Sequence, residues 1–363
     1  MPGRCQGSRC TVRVLFDGFW WRDGPPSGRN VLTSIVSEWR SRFPDDELAL
    51  AVPRSVAESA AVDIPNGVLP LVSALPQHAV STTLELSRHR GFDVVFSQNF
   101  TPLFSGALRA TFVHDVIFQA HPEWFTRAER LYLSAVPRLA WRADLVFTSS
   151  SSEAARIGRL NPALRDRTTA VGLGLAHSFS TAVPSRPDLP VAPGEFLLAV
   201  GRINERKNLE RLVIALLERG SIGAAFPLVV VGAGDGFSGA MPALVAARDS
   251  GTVLQPGYLS NEHLRWLYAN CASFAFPSLD EGFGLPVLEA AASGAPMALS
   301  SIPAFEEFGA VGSFFDPLDL GSIADGVAAS MAAGPMAAAA LLGEQYSWAA
   351  TVSRIRHTIE ERL

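Results

Sequence analysis

Two acids and two bases in the C-terminal half have the types and spacing to do chemistry. Glu281 and Glu289 lie in PSLDEGFGLPVLEAAASG, from Pro277 to Gly294, and Arg202 and Lys207 lie in VGRINERKNLE. Lys207 is the single lysine among 30 Lys plus Arg residues, so it survives a strong bias towards arginine. Each pair lies where an apolar run of strand character passes through a turn into a helical pattern. Ser273–Phe276 leads through Asp280-Glu281-Gly282-Phe283-Gly284 into a helix over Leu285–Ala292 that Gly294 stops. Phe196–Val200 leads through Arg202 and Lys207 into a helix over Asn208–Leu217. The open amides of a first helical turn attract anions, and two cations beside them suit a diphosphate. Glu281 stands in the turn beside any ligand held there. Glu289, taken as two helical turns further on at about 12 Å, can grip the other end of one elongated polar ligand. The plain alternative is a strand–helix unit with solvated charges, because one short motif carries little specificity.

The elements that must position these groups repeat along the chain. Val12–Phe16, Leu48–Val52, Asp93–Phe96, Ala110–Val113 and Leu145–Thr148 read as strands. Helical patterns lie between them, including Gly28–Arg42, Arg127–Arg142 and a Ser-capped helix over Ser150–Leu160. After the proline-rich stretch 179–193 the alternation restarts, with further strands at Pro227–Val231, Val253–Gln255, Pro296–Leu299 and Ser313–Asp316. The helices there are Asn261–Asn270, Leu320–Ala332 and a last one over Ser347–Glu361. Such alternation specifies parallel sheets covered on both faces, with ligands beyond the carboxyl ends of the strands. His114-Asp115 falls at such an end. His121, in HPEWF, makes no metal spacing with His114 and reads as structural. Gly28 follows the first strand, where a backbone without a side chain can approach a ligand. Phe19-Trp20-Trp21 is either folded-over core or the lining of an acceptor site. The turn GAGDG is too short a signal to mark a dinucleotide site.

The 363 residues divide into a lead-in over 1–10 read as disordered, an N-terminal domain over 11–178, a linker over 179–193, a second domain over 194–345 and a last helix over 346–363 that can cross back to the first domain. A net charge of −5 and a pI near 5.8 argue against nucleic acid as a partner. Three cysteines, Cys5, Cys10 and Cys271, give no disulfide framework or zinc spacing and fit a reducing cytoplasm. No signal peptide is read, and the alanine-rich run from Gly326 to Leu342 is interrupted by Gly334 and Pro335, so it reads as surface helices.

Lined up, these stretches resemble the retaining GT-B glycosyltransferases of the large family four. The C-terminal match runs through FLLAVGRINERKNLERL, PGYLSNEHLRWLYANCASFAFPS, EGFGLPVLEAAASGAP, SSIPAFEE and FFDPLD, in the family's order. The N-terminal half is similar through Gly28-Arg29, FVHDVIFQAHPEWF, TSSSSEAARIGRL and VGLGLAHSF. Its HD-plus-HPE form is similar to bacterial mannosyltransferase-like enzymes of surface polysaccharide or lipid-linked oligosaccharide assembly. The resemblance implies two doubly wound Rossmann-like domains facing each other across a cleft. It also implies transfer of a hexose, mannose favoured, from a nucleotide-diphosphate sugar (GDP or UDP favoured) to a glycan or lipid-linked acceptor, with retention of configuration.

Residue by residue, the resemblance implies that Arg202 and Lys207 hold the diphosphate and Glu289 the ribose. Glu281, with the amides of Phe283, Gly284 and Leu285, holds the sugar. Leu259 presents backbone to the base, Gly28 approaches the phosphates, His114 sits over the reacting sugar, and Asp115 supports it or faces the acceptor. No D-x-D occurs in the chain and no metal or other cofactor is expected. The first loop departs from the family in having one glycine in PPSGRN after the unusual FWW. The competing functions are a sugar-nucleotide epimerase of the same architecture and an inactive nucleotide-sugar-binding scaffold. Phe19-Trp20-Trp21 and the arginines of 127–142, beside Leu131, Tyr132, Leu133 and Trp141, suit weak, salt-sensitive docking on the inner membrane face of a cytoplasmic enzyme.

Overall fold

The computed structural model describes residues 11–54, 57, 64–75, 77–234, 240–334 and 341–363. The lead-in with Cys5 and Cys10, Asp235 and Gly236 of the glycine turn, and Pro335 lie outside the described residues. The described residues pack as two compact units. The first takes those in Met1–Val116, Leu131–Gly172 and Trp348–Leu363; the second takes those in Ile117–Arg130 and Leu173–Ser347.

The first unit is built on seven strands: β1 (Arg13–Asp17), β2 (Glu47–Pro53), β3 (Val68–Ser73), β4 (Val94–Gln98), β5 (Leu108–Phe112), β6 (Leu145–Thr148) and β7 (Thr168–Ala170). They lie in the order β3-β2-β1-β4-β5-β6-β7, all parallel. The central strands β1, β4 and β6 are buried almost throughout, as covering on both faces requires. Winding reverses between β1 and β4, so the carboxyl ends at Asp17 and Gln98 flank a switch point.

The sequence does not reveal β3 or β7, and both are edge strands. In β3 four of six residues are not buried, and Pro70, which cannot donate to a ladder, is tolerated where only one side is paired. The helix expected over Arg127–Arg142 is instead two, Arg127–Leu133 and Ala135–Ala140. Pro137 has no N–H, and its ring would meet the carbonyl of Leu133, so the first helix stops there. Ser150 caps Ser151–Leu160 as expected, accepting from the Glu153 N–H at 3.1 Å. The helix Trp348–Glu360 is locked into this unit by a buried ion pair, Arg356 Nε to Asp46 Oδ2 at 2.7 Å. Asp46 also accepts from the Val12 amide and from Trp39 Nε1, so no charge in the pair is left unmatched.

The second unit carries β8 (Leu197–Val200), β9 (Leu228–Val231), β10 (Val253–Gly257), β11 (Ser273–Phe276), β12 (Met297–Ser300) and β13 (Ser313–Phe315). Their order is β10-β9-β8-β11-β12-β13, again all parallel, and winding reverses between β8 and β11. Its core joins Leu197, Ala199, Val230 and Ala275 of the sheet to Leu212, Val213 and Leu216 of the helix Leu209–Glu218. The proline-rich stretch runs along the helix Asn261–Asn270: the Ser185 amide donates to the Glu262 carbonyl at 3.1 Å, and Arg265 reaches the carbonyls of Ser180 and Ala182.

Candidate functional site

In the second unit the switch point brings together the turns that follow β8 and β11. Asn204 caps a single 3-10 turn, Glu205–Lys207, accepting from the Lys207 N–H at 3.2 Å. Asn208 then takes a left-handed φ of 56° and opens the helix Leu209–Glu218. Its side chain is held by the Pro317 carbonyl at 2.7 Å. This corner turns Lys207 inwards. A side chain at Gly201, whose φ is 144°, would come within 2.9 Å of Lys207 Cε, so the glycine leaves the lysine its path.

Lys207 Nζ donates to Glu281 Oε1 at 2.6 Å and lies 4.4 Å from the centroid of the Phe276 ring. Glu281 Oε1 also accepts from Ser278 Oγ at 2.7 Å, and Oε2 lies 2.6 Å from Arg206 Nη1. Arg206 further reaches the Asp280 carbonyl at 2.7 Å. Lys207 and Glu281 are both buried. Burial pulls the lysine down, and Arg206 and Arg202 add to this against the pull of Glu281, leaving its pKa at about 8. Burial alone would raise Glu281; Arg206 and Lys207 reverse this and hold it at about 2. The carboxylate therefore serves as the lysine's counter-ion.

The helix Leu285–Ala292 begins at Gly284, in a left-handed conformation with φ 109°. No hydrogen bond is made by the backbone N–H of Phe283 or Gly284 among the described residues. Only from Leu285 is the path to Glu289 helical, so the rise reckoned for eight helical residues does not apply to the two acids. Glu289 Oε2 accepts from the buried Tyr268 hydroxyl at 3.0 Å. Burial raises Glu289 to about 7, although Tyr268 and the charge of Lys207 both act to lower it. Leu259 lies in the turn between β10 and the helix Asn261–Asn270.

The second unit thus gathers Arg202, Lys207, Glu281, Phe283, Gly284, Leu285 and Glu289 around one switch point. Sequence reasoning missed Arg206. Its position beside Lys207 was a signal, but its partner Glu281 lies far along the chain. His121, read as structural, stacks on Trp124 with ring centroids 4.0 Å apart and has Nε2 3.7 Å from Asp280 Oδ2.

Gly28, His114 and Asp115 belong to the first unit. His114 follows β5; its Nε2 lies 2.7 Å from Gln98 Oε1, and its own amide donates to Asn99 Oδ1 at 3.2 Å. Burial, then the charge of His78, hold its pKa at about 4. A neutral imidazole whose Nε2–H is given to an amide oxygen presents Nδ1 as an acceptor. Asp115 is partly buried. Gly28 is buried within the helix Pro26–Arg42, and a side chain there would meet Trp20 Cε3 at 2.4 Å. Trp20 and Trp21 are only 9% and 5% exposed, which decides the FWW loop in favour of folded-over core.

Residues 194–332 match the family described as Glycosyl transferases group 1. Among curated relatives, the chain is 30% identical over 195 residues to the serotype-specific mannosyltransferase WbdA of Escherichia coli, covering 50% of this chain and 24% of that protein. It is 29% identical over 223 residues to the O-antigen chain mannosyltransferase B of Escherichia coli, covering 59% of this chain and 58% of the relative. The chain therefore spans about a quarter of the length of WbdA. Among solved structures, it is similar to Anabaena Alr3699/HepE in complex with UDP and glucose, at 18% identity and a TM-score of 0.67 over 96% of this chain and 100% of that one. A sucrose-phosphate synthase from Thermosynechococcus elongatus matches at 16% identity and a TM-score of 0.68, over 97% and 99%. The two parallel α/β sheets and these likenesses give the chain the GT-B fold.

Proposed function

We propose, for a chain whose residues 194–332 are a glycosyltransferase group 1 domain, that it moves a hexose from a nucleotide-diphosphate sugar to a glycan or lipid-linked acceptor with retention of configuration. The observation that carries this reading is the cluster of buried Lys207 and Glu281 with half-buried Arg206 at the second switch point, with Arg202 on the same turn. Bond breaking leaves a nucleotide diphosphate with new negative charge, and cations fixed in a buried turn stabilise it with little reorganisation. On binding, the diphosphate replaces Glu281 as the partner of Lys207, and the released carboxylate takes sugar hydroxyls beside the amides of Phe283, Gly284 and Leu285.

Glu289 takes the ribose hydroxyls and the Leu259 backbone meets the base, GDP or UDP by preference. His114 accepts from a hydroxyl of the reacting sugar, with Asp115 supporting it or facing the acceptor. Gly28 approaches the phosphates through its backbone, with Trp20 filling the space a side chain there would need. The names of the relatives favour mannose and a surface polysaccharide.

No metal takes part in this reading, so transfer should survive EDTA; loss restored by magnesium or manganese would contradict it. Among the described residues no helix is long and apolar enough to cross a membrane. Leu131, Tyr132 and Trp141 are 77%, 47% and 57% exposed beside Arg138 and Arg142, which supports a cytoplasmic protein docking reversibly on an anionic membrane face. Trp20 and Trp21, being buried, take no part in that surface. Flotation with anionic vesicles should show binding at low salt that high salt removes, and its absence at low salt would favour a soluble acceptor.

Incubation with labelled UDP-, GDP-, ADP- and dTDP-sugars tests the function itself. Transfer to acceptor, or slow hydrolysis without it, is expected. Epimerisation, or binding with no turnover, would replace this reading.

A further inference from the structure

The first switch point holds a buried polar cluster that the proposed chemistry leaves unused. Asp17, the last residue of β1, is 3% exposed and accepts three hydrogen bonds. Oδ1 takes the Phe19 N–H at 3.1 Å, and Oδ2 takes the Thr82 hydroxyl at 2.8 Å and pairs with His78 Nε2 at 2.9 Å. His78 is enclosed by aromatic rings, with centroids at 5.0 Å for Phe19, 4.3 Å for Trp20 and 5.1 Å for Phe100. Its Nδ1 is buried with no hydrogen-bond partner among the described residues.

A buried carboxylate–imidazole pair with one nitrogen unsatisfied is a costly way to fill a core, since an unmatched buried polar atom costs about 1–3 kcal/mol. The Trp20 ring that covers this pair also lies 5.9 Å from the His114 ring. Trp20 is itself fixed from behind, because Gly24 and Gly28 leave room for its ring and for nothing larger at their own positions. Asp17 thus anchors the start of the FWW loop through the Phe19 amide and anchors His78 beneath it, and Trp20 carries that arrangement to His114.

We propose that Asp17 and His78 are positioning residues for His114, acting through the Trp20 ring that lies against both imidazoles. The proposal deepens the transferase reading, on which it rests for the role of His114 towards the sugar. The pair does two things. It fixes the wall that orients the His114 ring, with Nε2 on Gln98 and Nδ1 left to accept. It also places the His78 imidazole where, after burial itself, it acts to lower His114, which favours an unprotonated Nδ1.

The test is histidine-selective NMR titration of the full chain, run beside transfer kinetics. His78→Gln keeps a donor for Asp17 but removes the ring. The His114 midpoint should rise from about 4 towards the ordinary histidine range, and kcat should fall at least about tenfold, within the roughly 100-fold that misplacing a group can cost, with KM for the donor within about threefold. Asp17→Asn should move both readouts the same way. If His78→Gln fails to fold, Trp20→Phe decides, since it keeps a ring in the core and should shift the His114 resonance and lower kcat. An unmoved His114 titration, or kcat within about twofold of wild type in the folded variants, overturns the proposal. Should the wild type transfer no sugar, the transferase reading fails alone, because the titration still reports whether His78 governs His114.

Discussion

Both sheets reverse their winding at a switch point and both put a buried carboxylate there, yet the two carboxylates keep opposite company. Glu281 in the second unit faces Lys207, Arg206 and Ser278. Asp17 in the first unit faces His78, Thr82 and the Phe19 amide, walled by Trp20, Phe19 and Phe100. One fold type has therefore made a cationic turn suited to a charged leaving group and an aromatic, imidazole-lined turn suited to orienting neutral hydroxyls. The fold supplies the location and the local residues supply the chemistry.

The sharpest way to break this contrast is to remove the cation. Lys207→Ala should lower transfer by about 100-fold or more, the scale of losing one preorganised group on developing charge. Lys207→Arg should not restore it, because a planar fork does not replace a point charge on a buried carboxylate. Activity near wild type in steady-state kinetics would remove the second switch point from the chemistry.

A smaller effect separates the two acids of the second unit. Glu289→Gln should weaken binding of the free nucleotide by at least about tenfold, since a hydrogen bond to a charged group contributes roughly 1.5–3 kcal/mol. Glu281→Gln should spare the nucleotide and lower transfer. Equal loss of nucleotide affinity in both, by calorimetry, would contradict the division of labour.

The pH profile sharpens the same point. In the proposed reading Glu289, raised to about 7, must be ionised to accept from ribose, and Lys207, lowered to about 8, must stay protonated to meet the diphosphate. For free enzyme, kcat/KM should therefore rise as pH passes about 7 and fall as it passes about 8, and Glu289→Gln should abolish the acid limb. A flat profile from 6 to 9 would be the contrary result. The smallest change lies outside both switch points: Ser150→Ala, which removes a helix cap, should cost about 1 kcal/mol in denaturant unfolding and leave turnover unchanged.

The contrast also explains what the sequence reveals. The second site is written in contiguous stretches: β11, its turn and the helix to Glu289 occupy one motif, and Arg202 and Lys207 share another turn. Parallel strands buried on both faces, such as LVFT of β6, appear as apolar runs with sharp ends and were readable nearly to the residue. The first site is assembled across the chain. Asp17 meets His78 and Thr82 from 61 and 65 residues away, and no local spacing announces either pairing. The edge strands β3 and β7 lack the two-sided burial of strands such as β4 and β6, and Pro70 interrupts the apolar run of β3. For the FWW loop the sequence leaves folded-over core and an acceptor-site lining open, because the two glycines that admit Trp20 into the core have no periodicity of their own.

The central claim is that the turn carrying Lys207 holds a nucleotide-diphosphate sugar. Its most direct test is a thermal-shift series with UDP-, GDP-, ADP- and dTDP-sugars on the wild type and on Lys207→Ala. At a hundred times its dissociation constant a ligand adds about 2.7 kcal/mol to stability, so at least one nucleotide sugar should raise the wild-type midpoint clearly and raise that of the variant far less. No shift with any of the four, or an equal shift in both proteins, would contradict the account.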